Sequence, residues 1–498
     1  MKKNIFQNYF FFLKTNFILT ISFIYYCNNY LVLPFKIKKP LIKIKNNINI
    51  SSEYINYNKN NQIAATIYIG TPPKEIEIYL TMQHYDFFMG KGFCLNNSNS
   101  EYDPSLSSSY EKSLNTFFSA FYSKGNLSHD NFIFYENLNC SQNKTINDIE
   151  FIYAQPSTYF FDLIDPELSC GYLGLQLSSG SDYFEWYSLI YDLKSKRNIE
   201  SKKWSIIFNE NSNKLNNYDG ILVLGIIEDD YKEIFNINNN DYISDYSLPY
   251  ILQNVDWEIK FNEIYYHHNN KNISFFNETQ GLFLIDYNYI ICNIDYFDSI
   301  KKNFFNDYIN KGICFIDKIH NIKRKRLSNI QLLNIIICDK KKFKDIYKFP
   351  SLYFKHIKFN KIFELNYKDL FQEIGNSIIF SILLDEEEKY HWTFGRIFLK
   401  KYQFIFDNDQ KTITYINKTL INDDKKDIKN NDSNILILKI MIIIFLIIGF
   451  ILGLFFGKKL WDKNRKKRAN ELDDDYDYVD QNKEQKDAKE KGLFEEKE

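Results

Sequence analysis

Two strand-like segments each end at a polar residue that could take part in chemistry. Residues 76–80 alternate between apolar and polar side chains up to Thr81, and the apolar run 283–285 leads into Asp286. Two carboxylates that share a proton can hold a water molecule between them, one acting as base and the other as acid. Asp286 could supply one carboxylate of such a pair, whereas Thr81 forms hydrogen bonds but does not ionise.

Two further side chains near Thr81 could extend this chemistry. His84 with Asp286 would make an acid–base or metal-binding pair, although a lone histidine in a loop is more often structural. Asp86 lies five residues after Thr81 and could act as a displaced catalytic carboxylate. The alternative for each is an ordinary structural side chain, and the sequence predicts no cofactor or metal site.

The elements that must position these residues are strands. From about residue 53 to 420, short segments rich in Ile, Tyr, Phe and Val alternate with polar residues and end at Asn, Asp or Ser. Residues 76–80, 287–294 and 398–406 show the alternation clearly. The pattern predicts an all-β protein.

Composition excludes several classes of function. The chain has 498 residues, 45% of them hydrophobic, which is enough for a large core and excludes a disordered protein. Its net charge of -1, with lysines and acids interspersed, argues against a nucleic-acid-binding surface. We therefore expect a globular protein with no nucleic-acid partner.

Five segments stand out by their order and spacing. They are Ile69-Gly70-Thr71-Pro72-Pro73, Tyr102-Asp103-Pro104 through Tyr110, Gly171-Tyr172-Leu173-Gly174-Leu175, Asp219-Gly220-Ile221 through Gly225, and Trp392-Thr393-Phe394-Gly395-Arg396 through Tyr402. Together they resemble the pepsin-like aspartic proteases, in general character the plasmepsin-like branch. The resemblance implies a bilobal pepsin-like fold with a central cleft. It predicts an N-terminal β lobe over residues 53–240 and a C-terminal β lobe over residues 241–419.

The same resemblance assigns roles to the two opening residues. Each active-site loop of that family carries Asp-Thr-Gly, and the matching positions place Thr81 at the first aspartate and Asp286 at the second. The Thr and Gly are replaced in both loops, by residues 82–83 and by residues 287–288. General acid–base catalysis contributes about 10²–10⁴-fold, so loss of one carboxylate predicts at least that loss of rate.

The substrate flap is also altered. Residues 122–126 resemble the flap tip, with Tyr122 at the position of the family's flap tyrosine and Phe88 in place of its tryptophan partner. Only 8 residues separate Tyr122 from Asp130. We therefore expect a short flap that covers the cleft poorly.

Six cysteines lie outside the N-terminal segment. Cys314 and Cys338 resemble the pair that closes a loop in the second lobe of the family, which implies a disulfide between them. Cys94 with Cys140 is a weaker pairing, and Cys170 and Cys292 could equally be small buried side chains.

Apolar segments near both ends predict a single-pass type I membrane protein in the secretory pathway or at the cell surface, with its bulk lumenal or extracellular. Gly449, Gly453 and Gly457 form a small-residue pattern that could permit a homodimer. The predicted segments are a signal peptide or signal anchor (1–27), a basic propeptide-like linker (28–52), a juxtamembrane stalk (420–438), a transmembrane helix (439–457) and a cytoplasmic tail (458–498).

Three hypotheses about function follow. The first is a membrane-anchored homologue of aspartic proteases that is inactive and binds a peptide or protein in its cleft. The second is a divergent active endopeptidase that uses Asp286, and the third is a sorting or adhesion receptor built on a β platform.

Overall fold

The computed structural model describes most of the predicted lobes and little of the termini. The predicted signal segment, stalk and transmembrane helix all lie outside the described residues. Residues 1–419 and 420–498 form separate compact units. Within the described part of the chain, no helix has the length and apolar character needed to cross a bilayer. The described residues are 30–37, 62–84, 86–90, 101–119, 122–156, 171–177, 188–209, 218–235, 242–246, 256–275, 279–321, 331–386, 391–416, 458–459 and 461.

Strands dominate the described residues, as the alternating pattern predicts. The first ten are β1 (Leu31–Ile37), β2 (Ile63–Ile69), β3 (Lys74–Thr81), β4 (Phe87–Gly90), β5 (Glu111–Ser119), β6 (Tyr122–Tyr135), β7 (Asn143–Pro156), β8 (Gly171–Gly174), β9 (Lys203–Phe208) and β10 (Gly220–Leu224).

Sixteen more described strands follow. They are β11 (Tyr242–Tyr246), β12 (Glu258–Phe261), β13 (Glu263–His268), β14 (Lys271–Phe275), β15 (Thr279–Phe283), β16 (Ile290–Cys292), β17 (Cys314–Asn321), β18 (Gln331–Asp339), β19 (Leu352–His356), β20 (Lys361–Leu365), β21 (Phe371–Ile374), β22 (Ser377–Phe380), β23 (Ile382–Asp385), β24 (Trp392–Phe394), β25 (Gln403–Asp407) and β26 (Thr412–Ile416).

Helices are short and lie between strands. Asn293 caps the third of them by accepting a hydrogen bond from the Tyr296 amide at 3.0 Å. A π-helical turn, Lys301–Phe305, joins the third helix to the fourth. The described α-helices are α1 (Leu189–Ser195), α2 (Tyr231–Phe235), α3 (Ile294–Ile300), α4 (Asn306–Asn310), α5 (Tyr367–Leu370) and α6 (Arg396–Lys401).

The largest sheet takes strands from both predicted lobes. Its order is β11-β26-β25-β9-β10-β1-β2-β3-β8-β4-β7-β6-β5. The C-terminal strands β25 and β26 join it through β9, where Phe406 lies opposite Trp204. The sheet therefore crosses the predicted lobe boundary at residue 240. A nine-stranded sheet built on β12 to β24 and a four-stranded sheet β14-β13-β19-β20 complete the second half.

The segment predicted as a basic propeptide-like linker contributes a strand to the largest sheet. Leu31–Ile37 forms β1, which pairs with β10 on one side and with β2 on the other. Residues 30–35 are buried, because β1 is covered on both faces as well as on both edges. Gly220 makes room for this strand, since a Cβ at that position would lie 2.3 Å from the Phe35 ring. The basic composition of the segment therefore did not indicate that residues 31–35 form a buried strand.

Aromatic side chains fill the core between the sheets. Trp204 stacks on Phe406 with ring centroids 4.3 Å apart, and Trp257 packs edge-on against Trp204 at 6.1 Å. The Trp257 indole N–H donates to the carbonyl of Leu175 at 2.8 Å. The core of the second half is thereby connected to the segment that supports the loop carrying Thr81.

Candidate functional site

The first loop of the site begins where β3 ends. Thr81 lies opposite Gly174 in the parallel pairing of β3 with β8. The amide of Leu175 donates to the Thr81 carbonyl at 2.8 Å, and the amide of Gln176 donates to the His84 carbonyl at 2.8 Å. These bonds fix the backbone of the loop, and the Thr81 side chain is 1% exposed.

The second loop follows β15 and carries Asp286. Leu284 donates its amide to the carbonyl of Phe394 at 3.0 Å, and the Arg396 amide donates to the carbonyl of Tyr287 at 2.7 Å. A Cβ on Gly395 would lie 2.2 Å from the Tyr289 carbonyl oxygen, so glycine is needed for this close approach. The loop carrying Asp286 is therefore held against β24 and the start of α6.

The two loops meet at the Asp286 carboxylate. The Tyr79 hydroxyl donates to Oδ1 at 2.6 Å, and the amide of Met82 donates to Oδ2 at 3.1 Å. The Thr81 side chain also hydrogen-bonds to Asp286. Thr81 in turn accepts a hydrogen bond from the amide of Gln83 at 3.0 Å. The structure therefore brings Thr81 and Asp286 together, as the resemblance implies.

Burial and hydrogen bonding shift the pKa of Asp286 in opposite directions. Burial is the largest influence and raises the pKa of the carboxyl, whereas the bonds from Thr81, Tyr79 and the Met82 amide lower it. The pKa of the Tyr79 hydroxyl is raised well above its usual value by burial and by the neighbouring Asp286. Tyr79 thus keeps its proton and remains a hydrogen-bond donor.

Tyr79 and Arg396 are features of the site that sequence reasoning missed. Tyr79 precedes Thr81 by two residues in β3, so both side chains point to the same face of the strand. Arg396 stands where the resembling motif has an aspartate, is fully buried, and lowers the pKa of Tyr79 by its positive charge. Strand parity could have pointed to Tyr79, and the change of charge within the motif could have pointed to Arg396.

The residues that replace Thr and Gly in the second loop are also packed into their surroundings. Tyr287 stacks on Tyr289 with centroids 4.9 Å apart. Asn288 is buried; its side-chain amide donates to Gln372 Oε1 at 3.5 Å, and Gln372 Nε2 donates to the backbone carbonyl of Asn288 at 3.2 Å. The loop has accommodated these larger side chains by contacts of its own.

His84 and Asp86 both contact a tyrosine of the first half. The His84 ring packs on Tyr172 with centroids 4.7 Å apart, and the Tyr172 hydroxyl donates to Asp86 Oδ2 at 2.8 Å. Phe88 stacks on the same tyrosine at 5.4 Å. These contacts favour the structural role for His84 and Asp86. Among the described residues, no group of three or more His, Cys, Asp or Glu side chains is placed to hold a metal ion.

The hairpin of the predicted flap differs from expectation. Ser119 pairs with Tyr122, and residues 122–126 all lie within β6. Gly125 pairs with Phe117 on β5 and with Ala154 on β7. The resemblance placed these residues at the flap tip, but pairing on both sides keeps the chain extended at Gly125. The Tyr122 side chain lies outside the described residues, and its role at the flap stays a prediction.

The cysteines divide into bonded and free. Cys314 and Cys338 lie opposite each other on β17 and β18 and form a disulfide with an S–S distance of 2.01 Å. Cys292 is a buried free thiol in β16. Cys140 is also free, so the weaker pairing with Cys94 is wrong. The φ of Cys140 is 53°, which places it in a tight turn between β6 and β7.

Comparisons with known proteins agree with this geometry. The model of the eukaryotic aspartyl protease family matches residues 62–417, so the chain belongs to that family. No curated protein sequence matches the chain. Among solved structures, it is similar to conglutin gamma, a basic 7S globulin from lupine seeds, with 13% identity and a TM-score of 0.52. It is also similar to basic 7S globulin from soybean, with 13% identity and a TM-score of 0.50. Each match covers 78% of this chain and 95% of the globulin.

Proposed function

We propose that this protein is a non-catalytic member of the aspartyl protease family. The observation that carries the proposal is the state of Asp286, whose carboxylate accepts hydrogen bonds from Tyr79, Thr81 and Met82. These donors occupy lone pairs of the carboxylate that a reacting water would otherwise use. Asp286 acts here as an acceptor that holds two loops together.

Chemistry gives an independent argument. Hydrolysis by a carboxylate pair needs one group to accept a proton from water and the other to donate one to the peptide carbonyl. Thr81 neither ionises nor accepts a proton near neutral pH, and its hydroxyl is already bonded to Asp286 and to the Gln83 amide. A base for the water is therefore missing at position 81.

We further propose that the cleft binds a peptide or protein without cleaving it. The framework segments that build the cleft are kept while the catalytic loops have changed, which fits selection for shape rather than for hydrolysis. Both structural neighbours are named as 7S globulins and not as proteases. A photocrosslinker in a peptide library should label residues of the two loops if the cleft binds, and no labelling would favour the inert β platform of a receptor.

The same proposal includes a membrane anchor. Residues 439–457 would cross the bilayer once, with the ectodomain lumenal or extracellular, and Gly449, Gly453 and Gly457 would allow a homodimer. Protease protection of intact vesicles tests the orientation. Digestion of residues 53–419 from the cytoplasmic side would contradict it.

The decisive experiment for the main proposal is a cleavage assay. Purified full-length chain is incubated with a denatured protein from pH 4 to 7, with Asp286→Ala as the matched control. We expect no cleavage by either protein beyond the background that they share. Cleavage by the wild type that disappears in Asp286→Ala would overturn the proposal.

One observation favours the second candidate, a divergent active endopeptidase. Burial raises the pKa of Asp286, as expected of a carboxyl that keeps a proton for donation. That candidate requires a base other than residue 81, and the assay above distinguishes the two candidates directly.

A further inference from the structure

Five ionisable side chains from three elements meet in the first half of the fold, outside the site described above. His129 comes from β6, and Asp148 and Glu150 come from β7. Asp192 lies in α1, and Lys196 is the residue that caps its C-terminal end. We call this set the β7–α1 cluster.

The cluster fastens helix α1 to strand β7. Lys196 Nζ lies 2.9 Å from Asp192 Oδ1 and 3.3 Å from Asp148 Oδ2, and it also donates to the Asp148 carbonyl. The Glu150 amide donates to Asp192 Oδ2 at 3.1 Å. Asp192 thus accepts from the backbone of β7 while pairing with the lysine of its own helix.

His129 lies between two carboxylates of the cluster. Its Nδ1 is 3.0 Å from Asp148 Oδ1, and its Nε2 is 3.8 Å from Glu150 Oε2. On the other side of β6, Glu111 of β5 pairs with His129 in the backbone register and is exposed. When protonated, the imidazole has an acid on each ring nitrogen.

The charges of the cluster do not balance when all its acids are ionised. Three carboxylates then face one lysine, with His129 adding a positive charge only when protonated. Glu150 is the most affected acid, because burial, Asp192 and Asp148 raise its pKa to about 7 against the opposing effect of Lys196. Its side chain is 18% exposed, so solvent screens these charges only in part.

We propose that the β7–α1 cluster is a proton-operated clamp, which holds α1 on β7 in mildly acidic solution and weakens as the pH rises to neutrality. The proton on Glu150 removes one negative charge beside Asp192 and leaves Asp148 and Asp192 to share Lys196. Ionisation of Glu150 places a third carboxylate against this single lysine. The clamp does not involve Asp286, and the proposal does not depend on whether the protein is catalytic.

The sign of the effect follows from the raised pKa. An acid with a folded pKa above its ordinary value of 4.5 stabilises the closed state below that value, and the stabilisation is lost as the pH rises to about 7. Between those limits the opening of α1 releases a proton. The opening constant should therefore rise about tenfold per pH unit in that interval and level off above it.

Hydrogen exchange of the α1 amides tests the clamp in the full-length protein. Exchange of residues 188–200 is measured at pH 5, 6, 7 and 8, corrected for the intrinsic pH dependence of amide exchange, with β18 as an internal reference. In the wild-type protein the opening constant of α1 should rise between pH 5 and 7. Glu150→Gln, which mimics the protonated acid, should remove this rise.

Glu136→Gln is the matched control, because Glu136 follows β6 and pairs with Lys144 at 3.2 Å at the other end of the hairpin. It should leave the pH dependence of α1 opening unchanged.

A second variant, Lys196→Met, removes the charge that lowers the pKa of Glu150 and should extend the rise in the opening constant to higher pH. An unchanged profile in both Glu150→Gln and Lys196→Met, or a flat wild-type profile, would overturn the clamp.

Discussion

Two buried aspartates, Asp130 and Asp286, are held in nearly the same way although only one matches a catalytic position. Asp130 accepts hydrogen bonds from the hydroxyls of Tyr102, Ser107 and Ser109 and from the amide of Asn131. It is fully buried. Such a carboxylate has no free position for a reacting water.

Asp286 repeats this arrangement across a much longer stretch of chain. A tyrosine hydroxyl, a threonine hydroxyl and a backbone amide take the places that Tyr102, the serines and Asn131 occupy around Asp130. The donors of Asp130 all lie within 28 residues of it, whereas Tyr79 and Met82 are 207 and 204 residues from Asp286. Asp286 connects the two halves of the fold as Asp130 connects neighbouring loops.

The comparison shows how a catalytic acid can persist after its chemistry is lost. Once the partner carboxylate is absent, a buried acid is retained only if protein donors satisfy it, because an unpaired buried charge is strongly destabilising. Tyr79 supplies such a donor from the strand that leads to Thr81. The aspartate is then kept for stability.

Asp130→Ala should have the largest effect. The substitution takes the acceptor from the buried Tyr102 hydroxyl and from three half-buried donors, and an unsatisfied buried donor costs about 1–3 kcal/mol, so we expect a loss of about 3–5 kcal/mol in the free energy of unfolding. Urea unfolding at pH 7 measures it. A loss below 1 kcal/mol would show that Asp130 is not a structural hub and would remove the basis of the comparison.

Thr81→Asp should come second. The new carboxylate would lie beside buried Asp286, so the two groups would repel and one pKa would be strongly raised. We expect a loss of about 2–4 kcal/mol at pH 7, with much of it recovered at pH 4.5, where a shared proton relieves the repulsion. We expect no proteolysis, because Tyr79 and the Met82 amide still bind Asp286; recovered cleavage would show that residue 81 alone silenced the enzyme.

The resemblance of the framework motifs was sufficient to predict a pepsin-like, mostly β domain and the proximity of Thr81 to Asp286. The framework segments keep their order, and the family model covers nearly the same range of residues. Alternation in residues 76–80 correctly indicated β3. These features are local, so they can be read from short stretches of sequence.

Long-range contacts could not be predicted in the same way. The basic residues near β1 suggested a propeptide-like linker, and nothing in the sequence indicated that residues 31–35 pair with β10, which lies far away in the chain. The resemblance placed Gly125 at the flap tip, but two partner strands hold it extended. Strand parity gives the face on which Tyr79 lies, whereas its bond to Asp286 depends on how the two halves pack.

Asp286→Ala should have a smaller effect than Asp130→Ala. It removes the acceptor of Tyr79 and Met82 but also relieves the cost of burying a carboxylate, so we expect a loss of about 2 kcal/mol. Burial raises the pKa of Asp286 above its ordinary 3.8, so its stabilisation is complete below that value and declines as the pH rises through the folded pKa. Unfolding measured at pH 3.5 and 7 should show the larger loss in acid, and a larger loss at neutral pH would contradict the burial argument.

Removing the tyrosine donor should have the smallest effect, and it compares Asp286 and Asp130 most directly. Each aspartate accepts a hydrogen bond from one tyrosine. Tyr79→Phe and Tyr102→Phe remove a single hydroxyl from Asp286 and Asp130 and keep the ring, so each should cost about 1–2 kcal/mol in urea unfolding. If Asp286 instead faced a mobile water, Tyr79→Phe would cost little, since water would replace the lost donor. Combining Tyr79→Phe with Asp286→Ala gives the coupling energy, which should be about 1 kcal/mol for a direct bond. A coupling near zero with an intact effect for Tyr102→Phe would mean that only Asp130 is structural, and the retained aspartate at position 286 would need a different explanation.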